Sequence, residues 1–300
     1  MGKIAFVFSG QGAQYTGMGK ELCDNSPSAK RIFDIADSVR PGTSIQCFEG
    51  DKELLTKTCN TQPCVMTVDL AAAEAVKEKG MTPDYIAGFS LGEIAALGFS
   101  GMLSYEDAFR LVTARAQAMD KASLEKEGTM VAVIKLSPEK AEEIASRFDE
   151  TYPVNYNGPA QTVLATTPEN ADKIVEAAKA EKGRGVKLAV SGAFHSPFMH
   201  SAAVYLADYV KNVEFKDPSI PIYSNYTGEP YSGDYKNLLV KQTENPVRWQ
   251  KIVENLIAEG VDTFIEAGPG KTLSGLIKKI DPNVRVFNVE NKETLDALEL

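Results

Sequence analysis

Histidine is nearly absent from this chain of 300 residues: there are two, His195 and His200. Any chemistry that needs an imidazole has only those candidates. Cysteine is sparse as well, and Cys23, Cys47, Cys59 and Cys64 form neither a CxxC pair nor a Cys/His zinc spacing. Cations are the minority: 32 Lys and Arg stand against 41 Asp and Glu, a formal charge of -9. That balance argues against a mainly electrostatic grip on nucleic acid or anionic lipid. Long hydrophobic runs are missing too. The apolar run before Ser9 is five residues, too short for a signal peptide or a membrane span. A reduced, cytoplasmic protein with no membrane attachment is the expectation. No metal site is expected.

What is present is ordinary globular material, with 43% hydrophobic and 24% charged residues. At about 150 residues per domain, the length implies two units. Strand-like and helix-like stretches alternate from the start. Ile4–Phe8 reads as a buried strand ended by a Gly-rich loop, and residues 62–79 as a long helix stopped by Gly80. Tyr85–Gly88 is a short strand, Leu91 opens another helix, and Ser104 to Asp107 resembles a capping box for a helix over 105–120. Ile220–Ser224, Thr263–Ala267 and Arg285–Val289 read as later strands. Such alternation predicts an α/β fold with a mostly parallel sheet covered by helices.

The middle of the chain follows another rhythm. Met130–Leu136 reads as a strand, and Ser137-Pro138 starts a helix. Val154–Asn157 and Gln161–Ala165 are strands joined by a turn at Gly158-Pro159-Ala160. Thr167-Pro168 starts a second helix, which ends near Gly183, and Val186–Val190 closes the set. The order βαββαβ is the ferredoxin-like arrangement. The expected domains are therefore a large α/β core over 1–126 and 194–300, and a small inserted subdomain over 127–193.

Gly88-Phe89-Ser90-Leu91-Gly92 matches G-x-S-x-G, in which a tight strand-to-helix turn presents a serine oxygen above a sheet. An ordinary turn fits those five residues alone equally well; the flanking predicted strand and helix favour the elbow. The helix N-terminus there aims N–H groups at an anion forming near Ser90. A serine nucleophile needs a base. His195 follows the last strand of the small subdomain, at a junction where catalytic side chains commonly project, although a histidine capping the next helix is the competing role. His200 falls inside that helix, where a solvated or packed role fits better. Gly10-Gln11-Gly12 after the first strand lacks the Lys-Ser/Thr of a P-loop and the spacing of a dinucleotide fingerprint. It is either a flexible turn or an oxyanion donor opposite the elbow.

FSGQGAQ at 8–14, GFSLGE at 88–93, Arg115, GAFHSP at 192–197, QTENPVRW at 242–249 and EAGPGKTLSGL at 266–276 occur in that order along the chain. Together they resemble the malonyl-CoA:acyl-carrier-protein transacylase family, over essentially the whole sequence. The resemblance implies a hydrolase-like α/β core carrying a ferredoxin-like insertion, which agrees with the split read from the strand order.

It also implies roles. Ser90 becomes the nucleophile that takes malonyl from coenzyme A as an ester. His195 becomes the general base and then the acid that protonates the departing thiolate, oriented by the backbone carbonyl of Gln242. The N–H groups of Gln11 and Leu91 hold the oxyanion. Arg115 pairs with the free malonyl carboxylate, a bidentate grip that lysine cannot reproduce. Phe194 matches the malonyl-preferring members, while Asn157 and Gln62 resemble polar residues lining the cleft. Phosphopantetheine on acyl carrier protein then accepts the malonyl group by ping-pong transfer, in fatty-acid or polyketide synthesis. Coenzyme A and phosphopantetheine thioesters are substrates, no cofactor is implied, and family members of this kind often act as monomers.

Two positions depart from the family pattern. Phe89 stands where His or Gln is usual, and Val163-Leu164-Ala165-Thr166 replaces Val-x-x-Gly. Neither removes a catalytic group. The expected acidic carrier protein must approach an enzyme of charge -9, so docking requires local cations. Arg184 and Lys187, with Lys182, are one such group; Lys271, Lys278 and Lys279 are another. A serine hydrolase or thioesterase uses the same elbow and histidine, and a catalytically silent interaction module is a third possibility. Intact Ser90, His195, Gln11 and Arg115 argue against the silent module.

Overall fold

The computed structural model describes residues 2–298. They form two compact units: residues 2–117, 213–223 and 254–298 make the first, and residues 118–212 and 224–253 the second. The strands in chain order are β1 (Lys3–Phe8), β2 (Tyr85–Gly88), β3 (Thr129–Ile134), β4 (Tyr152–Gly158), β5 (Gln161–Thr166), β6 (Arg184–Lys187), β7 (Ile222–Tyr223), β8 (Val261–Ala267) and β9 (Arg285–Val289).

The first unit is built on a five-stranded sheet in the order β7-β2-β1-β8-β9. Every neighbouring pair is parallel. β1 is central and buried on both faces, which explains its continuous apolar run. Phe6 and Phe8 are fully buried, and each ring lies against Phe99, with centroids 5.8 and 5.7 Å apart. Burial of such a ring contributes about 1.5–3 kcal/mol. The long helix begins at Thr58, ahead of the expected start at 62, and runs to Glu78 with Pro63 inside it. Proline at this sixth helical position forfeits an intrahelical bond, a cost offset by the tertiary packing of this buried stretch. Strand β7 keeps two residues of the expected five. The segment before the long helix, unassigned from the sequence, holds four helices: Lys20–Asn25, Pro27–Val39, Thr43–Glu49 and Lys52–Thr56. Ser26 and Asp51 cap two of them through Ala29 N and Leu54 N.

The second unit contains an antiparallel sheet in the order β4-β5-β3-β6, the strand order of the βαββαβ pattern. Alternation along β3 divides its core in two. Val131 and Val133 pack with Leu164 against Ile144, Ala171 and Ile174 of the helices Pro138–Ala145 and Pro168–Ala180. Met130 and Ala132 face the other way, onto Met119, Ala122, Phe194, Phe198, Met199 and Ala202. That second apolar face explains why the unit is wider than 127–193: segments on both sides of the insertion cover it. Val247 extends the unit further, donating its N–H to Val154 O and accepting from Tyr156 N, both at 2.9 Å. Strand β6 begins and ends earlier than Val186–Val190; it starts at Arg184, opposite Ile134, the last residue of its ladder partner β3. No helix among the described residues is long and apolar enough to cross a membrane.

Candidate active site

In the first unit, β2 ends at Gly88 and a helix starts at Leu91, leaving Ser90 in the turn with φ 55° and ψ -106°. A positive φ at a non-glycine residue costs of order 1–3 kcal/mol and persists only where the surroundings enforce it. They do so by close approach. A Cβ on Gly88 would stand 1.9 Å from Gly92 C, and one on Gly92 would stand 2.3 Å from Phe8 O. Strand β2, the turn and strand β1 therefore touch backbone to backbone, as G-x-S-x-G requires. Leu91 is the first residue of the helix, where N–H groups are left over by intrahelical bonding.

Arg115 is fully buried, with Gln62 beside it. Its Nη1 donates to Gln62 Oε1 at 2.7 Å and its Nη2 to Ser90 Oγ at 3.2 Å. Ser90 thus accepts from a cation, which leaves its own hydroxyl proton to be given elsewhere. Gln62, read from the sequence as a cleft residue, acts here as the acceptor that aims the guanidinium. The Gln11 side chain donates to Thr58 Oγ1 at 3.3 Å, fastening the Gly-rich loop to the first turn of the long helix. Phe89 lies against the same loop: a Cβ on Gly10 would meet its ring at 2.9 Å.

In the second unit, His195 is 3% exposed and its Nδ1–H donates to the Gln242 carbonyl at 2.8 Å. A carbonyl can only accept, so the bond assigns the proton to Nδ1 and makes Nε2 the basic nitrogen of the neutral ring. Here too φ is positive, at 59°. Ser196 supports the turn, donating to Ala193 O at 2.5 Å and accepting from Phe198 N at 3.3 Å. Phe194 is buried in the apolar cluster beneath. Asn157 is buried in β4, and its Oδ1 has no hydrogen-bond partner. His200 is exposed and bonds Glu244 Oε2 at 2.8 Å. Arg184 is exposed on β6, whereas Lys187 pairs with Asp172 at 2.7 Å.

Three groups at these positions escaped sequence reasoning. Thr58 carries no pattern. Asp69 and Glu266 do carry one, a lone acid in the buried stretch of a helix and another at the end of a buried strand. No cluster of metal-ligating side chains occurs among the described residues.

A strained serine at a strand-to-helix turn in a parallel sheet is the geometry of the nucleophile elbow, the class of α/β enzymes that work through acyl-serine esters. The acyl transferase domain family matches residues 5–286. A malonyl CoA-acyl carrier protein transacylase from Bacillus subtilis (strain 168) is 41% identical over 305 residues, covering 99% of this chain and 96% of that protein. The crystal structure of the Clostridium perfringens malonyl CoA-acyl carrier protein transacylase superposes with a TM-score of 0.94 at 38% identity, covering 98% of this chain and 95% of that one. A malonyl-transacylase solved in complex with a type II PKS acyl-carrier protein gives a TM-score of 0.94 at 33% identity, covering 98% of both chains. The chain belongs to the malonyl CoA-acyl carrier protein transacylase family. It is an acyltransferase.

Proposed function

We propose that this chain carries malonyl from malonyl-CoA to the phosphopantetheine thiol of acyl carrier protein, through a malonyl ester on Ser90, in fatty-acid or polyketide synthesis. The observation that carries the reading is the buried Arg115 guanidinium on the Ser90 hydroxyl. It sets a carboxylate-pairing group beside the reacting oxygen, where a dicarboxylic acyl group needs one.

Ser90 Oγ attacks the thioester carbonyl while His195 Nε2 takes its proton. The tetrahedral oxyanion is met by the N–H groups of Gln11 and Leu91, reinforced by the positive end of the helix Leu91–Phe99. Collapse expels the coenzyme A thiolate, and the imidazolium returns the proton to it. Phosphopantetheine then attacks the ester, its thiol proton passing to His195 and from there to Ser90. Gln242 O holds the imidazole in the required tautomer. Phe194 and Asn157 shape the acyl pocket in this reading. Arg184 and Lys187 meet the acidic carrier protein. The reaction draws on no resident cofactor, and a cytoplasmic monomer suffices for it.

Mass spectrometry of the protein mixed with malonyl-CoA tests the reading. A malonyl adduct on Ser90 that holo carrier protein discharges is the expected result. No adduct on folded protein overturns it. An adduct that water clears as fast as carrier protein does converts the enzyme into a hydrolase.

A further inference from the structure

The helix Thr58–Glu78 carries one acid within a buried apolar run. Asp69, flanked by Val68 and Leu70, is wholly buried, and neither carboxyl oxygen has a hydrogen-bond partner at bonding geometry. What surrounds it is specific. A Cβ on Gly268 would stand 1.9 Å from Asp69 Oδ1 and 2.7 Å from Ser9 Oγ, and Gly268 itself has φ 136°. The acid, the Ser9 hydroxyl and the backbone of the Gly268-Pro269-Gly270 turn therefore meet at one point. The hydroxyl of Ser9 donates to Pro269 O at 3.3 Å. Ser9 is buried, and it stands two positions before Gln11.

A structural acid would have a charged or capping partner, as Glu266 does. That carboxylate accepts Leu273 N at 2.9 Å and Ser274 N at 2.7 Å, at the start of the helix Thr272–Ile280. Asp69 faces the N–H and hydroxyl of Ser9 and, from β8, the charge of Glu266. Burial, and secondarily that charge, push its carboxyl well above the usual carboxylate range. The protonated acid is the form that can donate to Ser9 Oγ while Ser9 donates to Pro269 O.

We propose that Asp69 is a positioning residue for the oxyanion site: acting through Ser9 and the Gly268–Gly270 turn, it fixes the loop that presents the Gln11 N–H. The proposal rests on the acyl-transfer reading above. An apolar side chain would fill the same space without desolvating a carboxyl. The acid buys a directional tie between helix, loop and turn, which an apolar contact does not supply.

The test is rapid-quench measurement of malonyl-Ser90 formation in the full chain, with folding checked by circular dichroism and thermal melting. Asp69→Asn keeps a donor and is expected to acylate within about threefold of wild type, by retaining one hydrogen bond. Asp69→Leu and Ser9→Ala are expected to acylate about 10–100-fold more slowly with KM for malonyl-CoA nearly unchanged, as for a displaced oxyanion donor. Folded Ser9→Ala acylating at the wild-type rate overturns the proposal. So does a loss carried by KM, or an Asp69→Asn variant as slow as Asp69→Leu. If Asp69→Leu does not fold, Ser9→Ala and Asp69→Asn decide alone. Wild-type protein that forms no malonyl-Ser90 overturns the acyl-transfer reading itself; normal wild-type acylation matched by every variant overturns only the role of Asp69.

Discussion

The serine and the histidine are held by opposite means. Ser90 is fixed redundantly: two backbone approaches force its turn, a helix begins beside it, and a buried arginine aimed by Gln62 reaches its oxygen. His195 is oriented through a main-chain acceptor, Gln242 O, on a turn in the second unit. Backbone packing and buried side chains therefore both hold the serine, whereas a single main-chain acceptor orients the imidazole. Substitutions should be severe around the serine, while the identity of the residue supplying the carbonyl should matter little.

The sharpest break comes from the proposed base. His195→Ala should lower kcat for malonyl transfer by about a thousandfold or more, as for other bases in serine acyl transfer. Gln242→Ala keeps the carbonyl and should cost less than about tenfold. Equal losses in steady-state assays would show that the Gln242 side chain carries the orientation. Next is specificity. Arg115→Ala should reduce malonyl transfer by about a hundredfold, the scale of a lost charge-assisted pair, while acetyl transfer falls far less. Equal losses with both acyl groups would make Arg115 a structural residue. Reversing charge at Arg184 and Lys187 should raise the carrier-protein KM by about three- to tenfold and leave acylation by malonyl-CoA untouched. An unchanged KM removes β6 from the docking surface.

The smallest effect concerns pH. Asp69 and Glu266 both have carboxyls raised above the ordinary range, chiefly by burial. The folded chain then holds protons that the unfolded chain releases. Their contribution to stability is full below about pH 4 and is lost as pH climbs toward the folded values. Asp69→Asn should remove its share, so the fall in Tm between about pH 5 and about pH 8 becomes shallower by a few degrees. A parallel decline in both proteins would mean that Asp69 stays ionised in the fold.

Much of the fold was legible because its signals are local. The buried β1, the Ser-Pro helix start at 137–138 and the strand β3 follow from residue spacing, and they appear close to where the spacing places them. Two of the four helices before Thr58 were not, since they start at left-handed glycines, Gly19 and Gly42, with no side-chain cap to announce them; the other two do carry caps, at Ser26-Pro27 and Asp51. The extent of the second unit was also hidden, because Phe194, Phe198 and Ala202 declare themselves as its core only when Met130 and Ala132 are seen to face them.

The scarcity of histidine narrowed the base to two residues from composition alone, and the spacing of glycines around Ser90 marked the elbow. These are properties of short stretches, which the chain encodes without reference to anything distant. Tertiary structure alone decided the rest. It put the Arg115 guanidinium on Ser90 and Gln62, buried His195 against a carbonyl while leaving His200 exposed beside Glu244, and brought Asp69 to Ser9 and Gly268. Those pairings join residues tens to hundreds of positions apart, and only packing in three dimensions determines which distant groups share a desolvated site.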